Sequence, residues 1–310
     1  MAQRVAAGTP AIRTRWNFRR NAVLYLMLAP AALFIITFNY IPMYGFVIAF
    51  QDFNPMKGFV GSPLAGLKWF KIVVESPDFW QVCYNTLVIS LLKIAFSVAF
   101  PVLFALLLNE VGNRLFKRSV QTIVYFPTFL SWVIVGGIFL DLLALGGPVN
   151  GVIKALGGKG IIFLGDNHWF RAALVGTDVW KNFGWNAILY LAALSMINPE
   201  LYEAATIDGA NRWSQTWHVT LPGISATIIL LATLSLGNVL NAGFEQVLML
   251  YNPVVYRTGD IIDTFVYRVG LLGGDFSLGT AVGLGKSAVG IMLISLSYRV
   301  AHRLTGYRIF

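Results

Sequence analysis

The chain has 310 residues, 57% of them hydrophobic and 12% charged, and a mean hydropathy of +0.68. A soluble domain is about 25% charged, so these charges cannot cover a soluble protein of this size and the class is a polytopic membrane protein. The net charge of +9 comes without any nucleic-acid-binding motif and points to Lys and Arg facing anionic lipid.

Residues 1–22 are polar and carry Arg4, Arg13, Arg15, Arg19 and Arg20 without one acid. The apolar run that starts at Val23 outlasts a secretory signal core. It has no small-residue cleavage site followed by a polar start, so it reads as a retained first span over 23–42, with Pro30 as a candidate kink. Residues 43–82 read as an external segment rich in Pro, Gly and aromatics, with 44–50 extending the first helix. Five more spans are expected at 84–108, 119–143, 170–194, 223–248 and 279–301, each about the 20 residues that a hydrocarbon core needs. Between them lie a basic link (109–118), a Gly-rich segment (145–169), a polar island (198–222) and a second external segment (249–278). Of the 23 Lys and Arg, twelve fall on the side of the N-terminus, the link, the island and the tail, and eight on the other side in three longer loops. The short-loop bias places the first side in the cytoplasm, with both chain termini. Cys83 is the one cysteine, which excludes an internal disulfide and a cysteine-based metal site. His168, His218 and His302 lie too far apart in sequence for ligand spacing.

The polar island is the most informative stretch. Asn198 can cap a helix whose first position is Pro199, and Glu200 and Glu203 favour its N-terminal turn. Gly209 is the natural stop, Asn211 can start a second short helix, and Pro222 opens the next apolar run. The pattern Glu203-Ala204-Ala205, three residues, Gly209, nine residues, Val219, one residue, Leu221-Pro222 resembles the EAA loop of ABC-importer permeases, with Val219 in place of the usual Ile. YIPMYGFVIAFQDFNP (40–55), ALLLNEVGNRLFKRSVQTIVYFPTFLSWV (105–133) and LMLYNPVVYRTGDIIDTFVYRVGL (248–271) resemble the carbohydrate-uptake branch of that family. The likeness is to its subgroup for polysaccharide-derived oligosaccharides, of the alginate and pectin-fragment type, and it extends from about residue 20 to Phe310.

The resemblance implies an all-α polytopic membrane protein with six transmembrane helices, the type I importer permease. It would be one basic cytoplasmic N-terminus (1–22) followed by one permease domain (23–310) in a bacterial cytoplasmic membrane. It implies a second homologous permease, two cytoplasmic ATPase subunits that bind ATP and Mg2+, an extracytoplasmic solute-binding protein and an oligosaccharide substrate. This chain itself would have no cofactor, no catalytic site and no nucleic-acid partner. Glu203, Ala204, Ala205, Asp208, Gly209, Leu221 and Pro222 would couple it to the ATPases. Two alternatives keep other cargo or energy sources: the same fold carrying a non-sugar solute, and an ion-coupled secondary transporter, which leaves the EAA loop unexplained.

Other motifs are weaker. GLGKS (283–287) lacks the first glycine of a phosphate-binding loop, since Thr280 stands where it belongs, and it lies in an expected span. It reads as small residues for helix packing around an intramembrane Lys286. Lys93, Lys181 and Glu245 are the other ionisable groups expected inside spans, either lining a pathway or snorkelling and pairing with one another. Asn182, Asn186 and Tyr190 recur at i, i+4, i+8 and form one helix stripe. Asn238, Asn241 and Glu245 follow in the next span, and Trp180 and Trp185 are near. Amides, a carboxylate and aromatic faces suit a sugar pathway; hydrogen bonding between subunits is the plainer reading. Asp260 and Asp263 read as helix caps after Gly259, with docking of the binding protein as the alternative. The external carboxylates form no hydrolase pair.

Overall fold

The computed structural model describes residues 22–305. The expected basic N-terminus, from Arg4 to Arg20, and Arg308 of the tail lie outside the described residues. Helices and short turns make up the described chain; among its residues the only β pairing is an isolated bridge between Gln51 and Leu64. The fold class is all-α.

The chain divides after Val47 into two units. Helix α1 (Ala22–Phe50) makes up the described part of the first unit, with its last residues, 48–50, in the second; it continues through the region expected to extend it and passes Pro30 without a break. A wide π turn at Ile36–Tyr40 precedes Pro42, where a ring that cannot donate would otherwise crowd the preceding turn. No side chain from Ala22 to Ile35 is buried, although nearly all are apolar, which suits a helix surrounded by lipid.

The second unit holds the remaining helices. A short amphipathic helix α2 (Lys68–Glu75) leads into α3 (Pro77–Asn109), which has proline at its first position. Helix α4 (Arg114–Tyr125) is capped by Asn113, whose Oδ1 accepts from the N–H groups of Leu115 and Phe116. The expected span 119–143 is not one helix. Pro127 opens a 3-10 turn at Phe126–Phe129, and Ser131 caps a new helix, α5 (Trp132–Leu143). After α6 (Pro148–Ala155) comes α7 (Phe170–Ser195), within a residue of its expected bounds. Beyond the helix α8 (Pro199–Ile207), α9 (Arg212–Gly237) runs unbroken out of the polar island. The expected span 223–248 stops there. Asn238 ends α9, and Gly243 takes a left-handed φ of 90° before α10 (Phe244–Leu250) restarts. A positive φ is open to glycine without a Cβ clash, so the break is written into the sequence at that residue. Residues 262–272 form α11, and α12 (Phe276–Thr305) completes the described chain.

Among the described residues, five stretches are long and apolar enough to cross a membrane: Ala22–Phe50, Pro77–Asn109, Trp132–Ala155, Arg212–Gly237 and Phe276–Val300. The remaining expected span, the fourth in chain order and α7 here, has the length at 26 residues but carries Asp178, Lys181, Asn182 and Asn186. It hides that polarity by packing along α3, α4 and α9, and ten of its residues are buried. Three apolar clusters form the core. One centres on Ile89, Phe170, Leu174 and Val247, one on Val82, Ile262, Phe265 and Val282, and one on Ala105, Ala187, Tyr190 and Ile224. The last joins α3, α7 and α9 and fixes the position from which the polar island projects.

Candidate functional site

Two regions carry chemistry. The first is the hairpin made by α8 and the start of α9. Asn198 Oδ1 accepts from the Glu200 N–H at 3.1 Å and starts α8. At its end Gly209 takes φ +79°, while the Ala210 N–H reaches back to the Ala205 carbonyl at 2.9 Å, closing the helix as a left-handed C-terminal cap. Asn211 Oδ1 accepts from Ser214 N–H at 2.8 Å and starts α9. Side chains lock the two arms together. Gln215 donates to Thr206 Oγ1 at 3.0 Å and the Ala210 carbonyl at 3.2 Å, and the Tyr202 and Thr220 hydroxyls meet at 3.1 Å. Arg212 reaches Glu110 at the end of α3, 3.2 Å away. A π turn at Thr216–Thr220 accommodates Pro222, so α9 passes through it. Glu203, Ala204, Asp208, Gly209 and Pro222 are exposed, and Ala205 and Leu221 half-buried. Leu201, Ile207, Trp213 and Trp217 are large apolar side chains on the same hairpin that stand in solvent.

The second region is the polar interior between α3, α7 and the break. Asn186, Tyr190 and Asn238 meet around a cavity of about 200 Å3, together with Ser97 and Ser235. A neighbouring cavity of about 230 Å3 is lined by Asn238, Asn241, Ser90, Lys93, Ser97 and Asp178 among others. Asn182 joins it indirectly, through a 3.3 Å hydrogen bond to Asp178. The structure thus brings together Asn186, Tyr190, Asn238 and Asn241. Glu245 lines neither cavity; it lies exposed on α10 beyond the break, so Asn238, Asn241 and Glu245 do not share one helix face as expected. Trp180 and Trp185 are about half exposed and lie outside both cavities; they stack edge-on against Phe139 and Phe129.

The three lysines expected inside spans are each partnered. Lys93 is 7% exposed and donates to the Ala242 carbonyl at 2.6 Å and to Gln246 Oε1, with Asp178 at 3.6 Å. Gln246 in turn donates to the Leu174 carbonyl and Thr177 Oγ1, each at 2.7 Å. Non-helical backbone at membrane depth must have its polar groups satisfied by protein, and Lys93 does this for the Ala242 carbonyl. Lys181 donates to the Thr128 carbonyl at 2.9 Å, across the break between α4 and α5. Lys286 pairs with Asp263 at 2.5 Å from the interior of α12, which is helix and not the strand-to-helix turn of a phosphate-binding loop.

Residues 88–306 match the family described as the binding-protein-dependent transport system inner membrane component. The chain belongs to this family. This permease is 45% identical over 281 residues to the polygalacturonan/rhamnogalacturonan transport system permease protein YteP of Bacillus subtilis (strain 168), covering 90% of this chain and 88% of that one. It is equally 45% identical to Protein LplB of the same organism, over 89% of this chain and 87% of that one. Its fold matches a chain of a bacterial alginate ABC transporter solved in complex with an alginate pentasaccharide-bound periplasmic protein. The TM-score is 0.86 and the identity 36%, over 96% of this chain and 100% of that one. It is an ABC-importer permease of the carbohydrate-uptake branch.

Sequence reading found the permease's charges but not their partners. Asp178 stands three residues before Lys181 and was readable as a further charge in that span. Gln246 carried no signal. Asp260 and Asp263 are corrected: Asp263 is the counter-ion of Lys286, and Asp260, 3% exposed, pairs with Arg268 and accepts from Thr264 Oγ1 at 2.7 Å. Burial pushes the Asp260 carboxyl up against the opposing pull of Thr264 and Arg268. Burial, with Tyr256 beside it, pushes the Tyr251 phenol up to about 12.

Proposed function

We propose that this permease is one of two different membrane subunits of an ATP-driven importer for oligosaccharides cut from uronate-bearing polysaccharides. The observation that carries the cargo is the 45% identity along nine-tenths of the chain to a polygalacturonan/rhamnogalacturonan permease. The likeness to an alginate importer supports it, because both named polymers are built with uronic acids. Two ATPase subunits on the cytoplasmic side bind ATP and Mg2+ and perform the hydrolysis, and an extracytoplasmic binding protein delivers the sugar. The chain sits in a bacterial inner membrane with both termini in the cytoplasm, the side on which the Lys and Arg count places the hairpin.

The hairpin is the coupling element. Ala204 and Ala205 allow close approach to the ATPase, Glu203 and Asp208 offer charged contacts, and Gly209 sets the turn. Leu221 and Pro222 join the hairpin to α9, so motion of the ATPases moves α9 with it. Asn182, Asn186, Tyr190, Asn238 and Asn241 line the sugar pathway, and Glu245 flanks it.

The test is ATP hydrolysis by the assembled transporter in liposomes, with its binding protein loaded in turn with oligogalacturonates, oligoalginates and neutral oligosaccharides. Stimulation by the uronate sugars is the expected result. A flat response to every sugar from an intact assembly would remove the cargo assignment.

A further inference from the structure

A third cavity, of about 560 Å3, lies between α10, α11 and α12, and its lining includes Asn241, Phe244, Asp263, Tyr267, Gly279 and Lys286. Small-molecule sites fall within roughly 300–1,000 Å3 and combine apolar walls with a few placed polar groups. Here the apolar wall is aromatic: the Phe244 and Tyr267 rings meet edge-on with centroids 5.6 Å apart. The polar groups are the Asn241 amide and the Lys286–Asp263 pair. The cavity shares Asn241 with the polar interior, so it lies beside the pathway. Its floor is rigid, because Gly270 of α11 and Gly279 of α12 touch so closely that a Cβ on either would lie 2.9 Å from the other's Cα.

Lys286 is ten residues into α12, about 15 Å along it. An ammonium at that depth needs a partner. Its partner Asp263 comes from another helix, and the two side chains keep 18% and 27% of their surface open. Both charges are therefore reachable from the cavity, unlike the buried Lys93.

We propose that this cavity recognises the carboxylate of one uronate residue of the passing oligosaccharide, with Lys286 as the cation and Asp263 as an exchangeable counter-ion. Aromatic rings take the flat face of the sugar, and the Asn241 amide takes a hydroxyl. In the empty state Asp263 neutralises Lys286; an incoming uronate replaces one carboxylate with another. The exchange trades one ammonium–carboxylate contact for another, and the displaced Asp263 stays beside Lys286 as a competitor for it, which lets the sugar both enter and leave, as a transport site requires. A neutral sugar cannot displace Asp263 and gains nothing from Lys286. The inference rests on the uronate reading of the cargo.

The test uses the complete transporter in liposomes with its binding protein at saturation, and measures the uptake rate of labelled trigalacturonate. Lys286→Gln should lower it by about ten- to a hundredfold, the range of a charge-assisted hydrogen bond. Lys286→Arg should keep most of the rate, and Asp263→Asn, whose amide oxygen still accepts from the ammonium but no longer competes as a charge, should keep or raise it. Equal losses in Lys286→Gln and Asp263→Asn would reduce the pair to a structural brace and overturn the proposal. So would a wild-type rate in Lys286→Gln, or an arginine variant as slow as the glutamine one. If Lys286→Gln does not assemble, Asp263→Asn decides alone: a loss of uptake overturns the site, and a retained or raised rate supports it. Failure of the wild-type complex to take up trigalacturonate while it imports a neutral oligosaccharide would instead overturn the uronate reading, and this site with it.

Discussion

At the scale of single residues, the interior is organised by where each charge finds its partner. Lys93 makes two hydrogen bonds at the break, to the Ala242 carbonyl within it and to Gln246 just beyond it. Removing it strands both acceptors and leaves Asp178 without its cation. Lys93→Met should therefore destabilise the detergent-solubilised permease by about 3 kcal/mol, as breaking a buried pair does. Asp178→Asn leaves Lys93 both of those acceptors and removes only the 3.6 Å contact, so it should cost less, about 1 kcal/mol. Thermal unfolding of the two variants checks the order. Asp260 carries a pH prediction. Its folded carboxyl titrates above its ordinary value, so its contribution to stability is fully present below that value and is lost as pH rises through the folded one. Arg268→Gln removes an opposing pull and raises the carboxyl further. The variant should then gain more stability than the wild type on acidification from about pH 7 to about pH 4.5. An equal gain in both proteins would show that Arg268 does not hold Asp260 down. The charges were legible in the sequence because ionisable groups stand out in apolar runs. Their partners were not, because they lie far along the chain: Gln246 is 153 residues from Lys93, and Asp263 comes from a different helix than Lys286.

At the scale of elements, hydropathy recovered helix lengths wherever one apolar helix spans one apolar run, as for α12, whose apolar stretch Phe276–Val300 matches the expected 279–301. It failed at the split between α4 and α5 and at the end of α9. Apolar side chains resume on both sides of each break, so the few polar residues among them, such as Asn238 and Asn241, do not end the apolar run although the backbone hydrogen bonding changes. Pro127 and Gly243 mark the breaks, but a proline or glycine inside a membrane helix is tolerated often enough that neither decides the matter alone. The first arm of the hairpin was legible because it is built from local rules: an Asn cap, a proline at the first position and a left-handed glycine; the second arm was not, since the short helix expected after Asn211 runs on through a π turn and Pro222 into α9. Gly209→Val puts a β-branched side chain at φ +79°, at a cost of about 1–2 kcal/mol in the turn. Membrane insertion does not depend on that turn. The variant should insert and assemble normally yet lose sugar uptake relative to ATP hydrolysis, measured as the ratio of the two rates in liposomes. Unchanged coupling would remove the hairpin from its assigned role.

At the scale of the whole molecule, the placement of charge predicts orientation. In a Cys83→Ser background, Arg114→Cys in the link after α3 should react with a membrane-impermeant maleimide only from the cytoplasmic side. Lys57→Cys, in the first external segment, should react only from outside. Labelling of both from one side would invert or break the topology. The unbroken course of α9 has a consequence for how far a push at the hairpin travels. Twenty-six residues of continuous helix, Arg212 to Gly237, amount to a rod of about 39 Å. One end is seated in the hairpin, and the other stops at the turn where Asn238 and Asn241 face the cavities. A tilt of about 6° about one end of such a rod sweeps the other through about 4 Å, nearly the 5.4 Å pitch of a helical turn. Under the proposed coupling, the turn at 238–243, with Ala242 held by Lys93, is the place where rotation at the hairpin end becomes a change of width at the cavities.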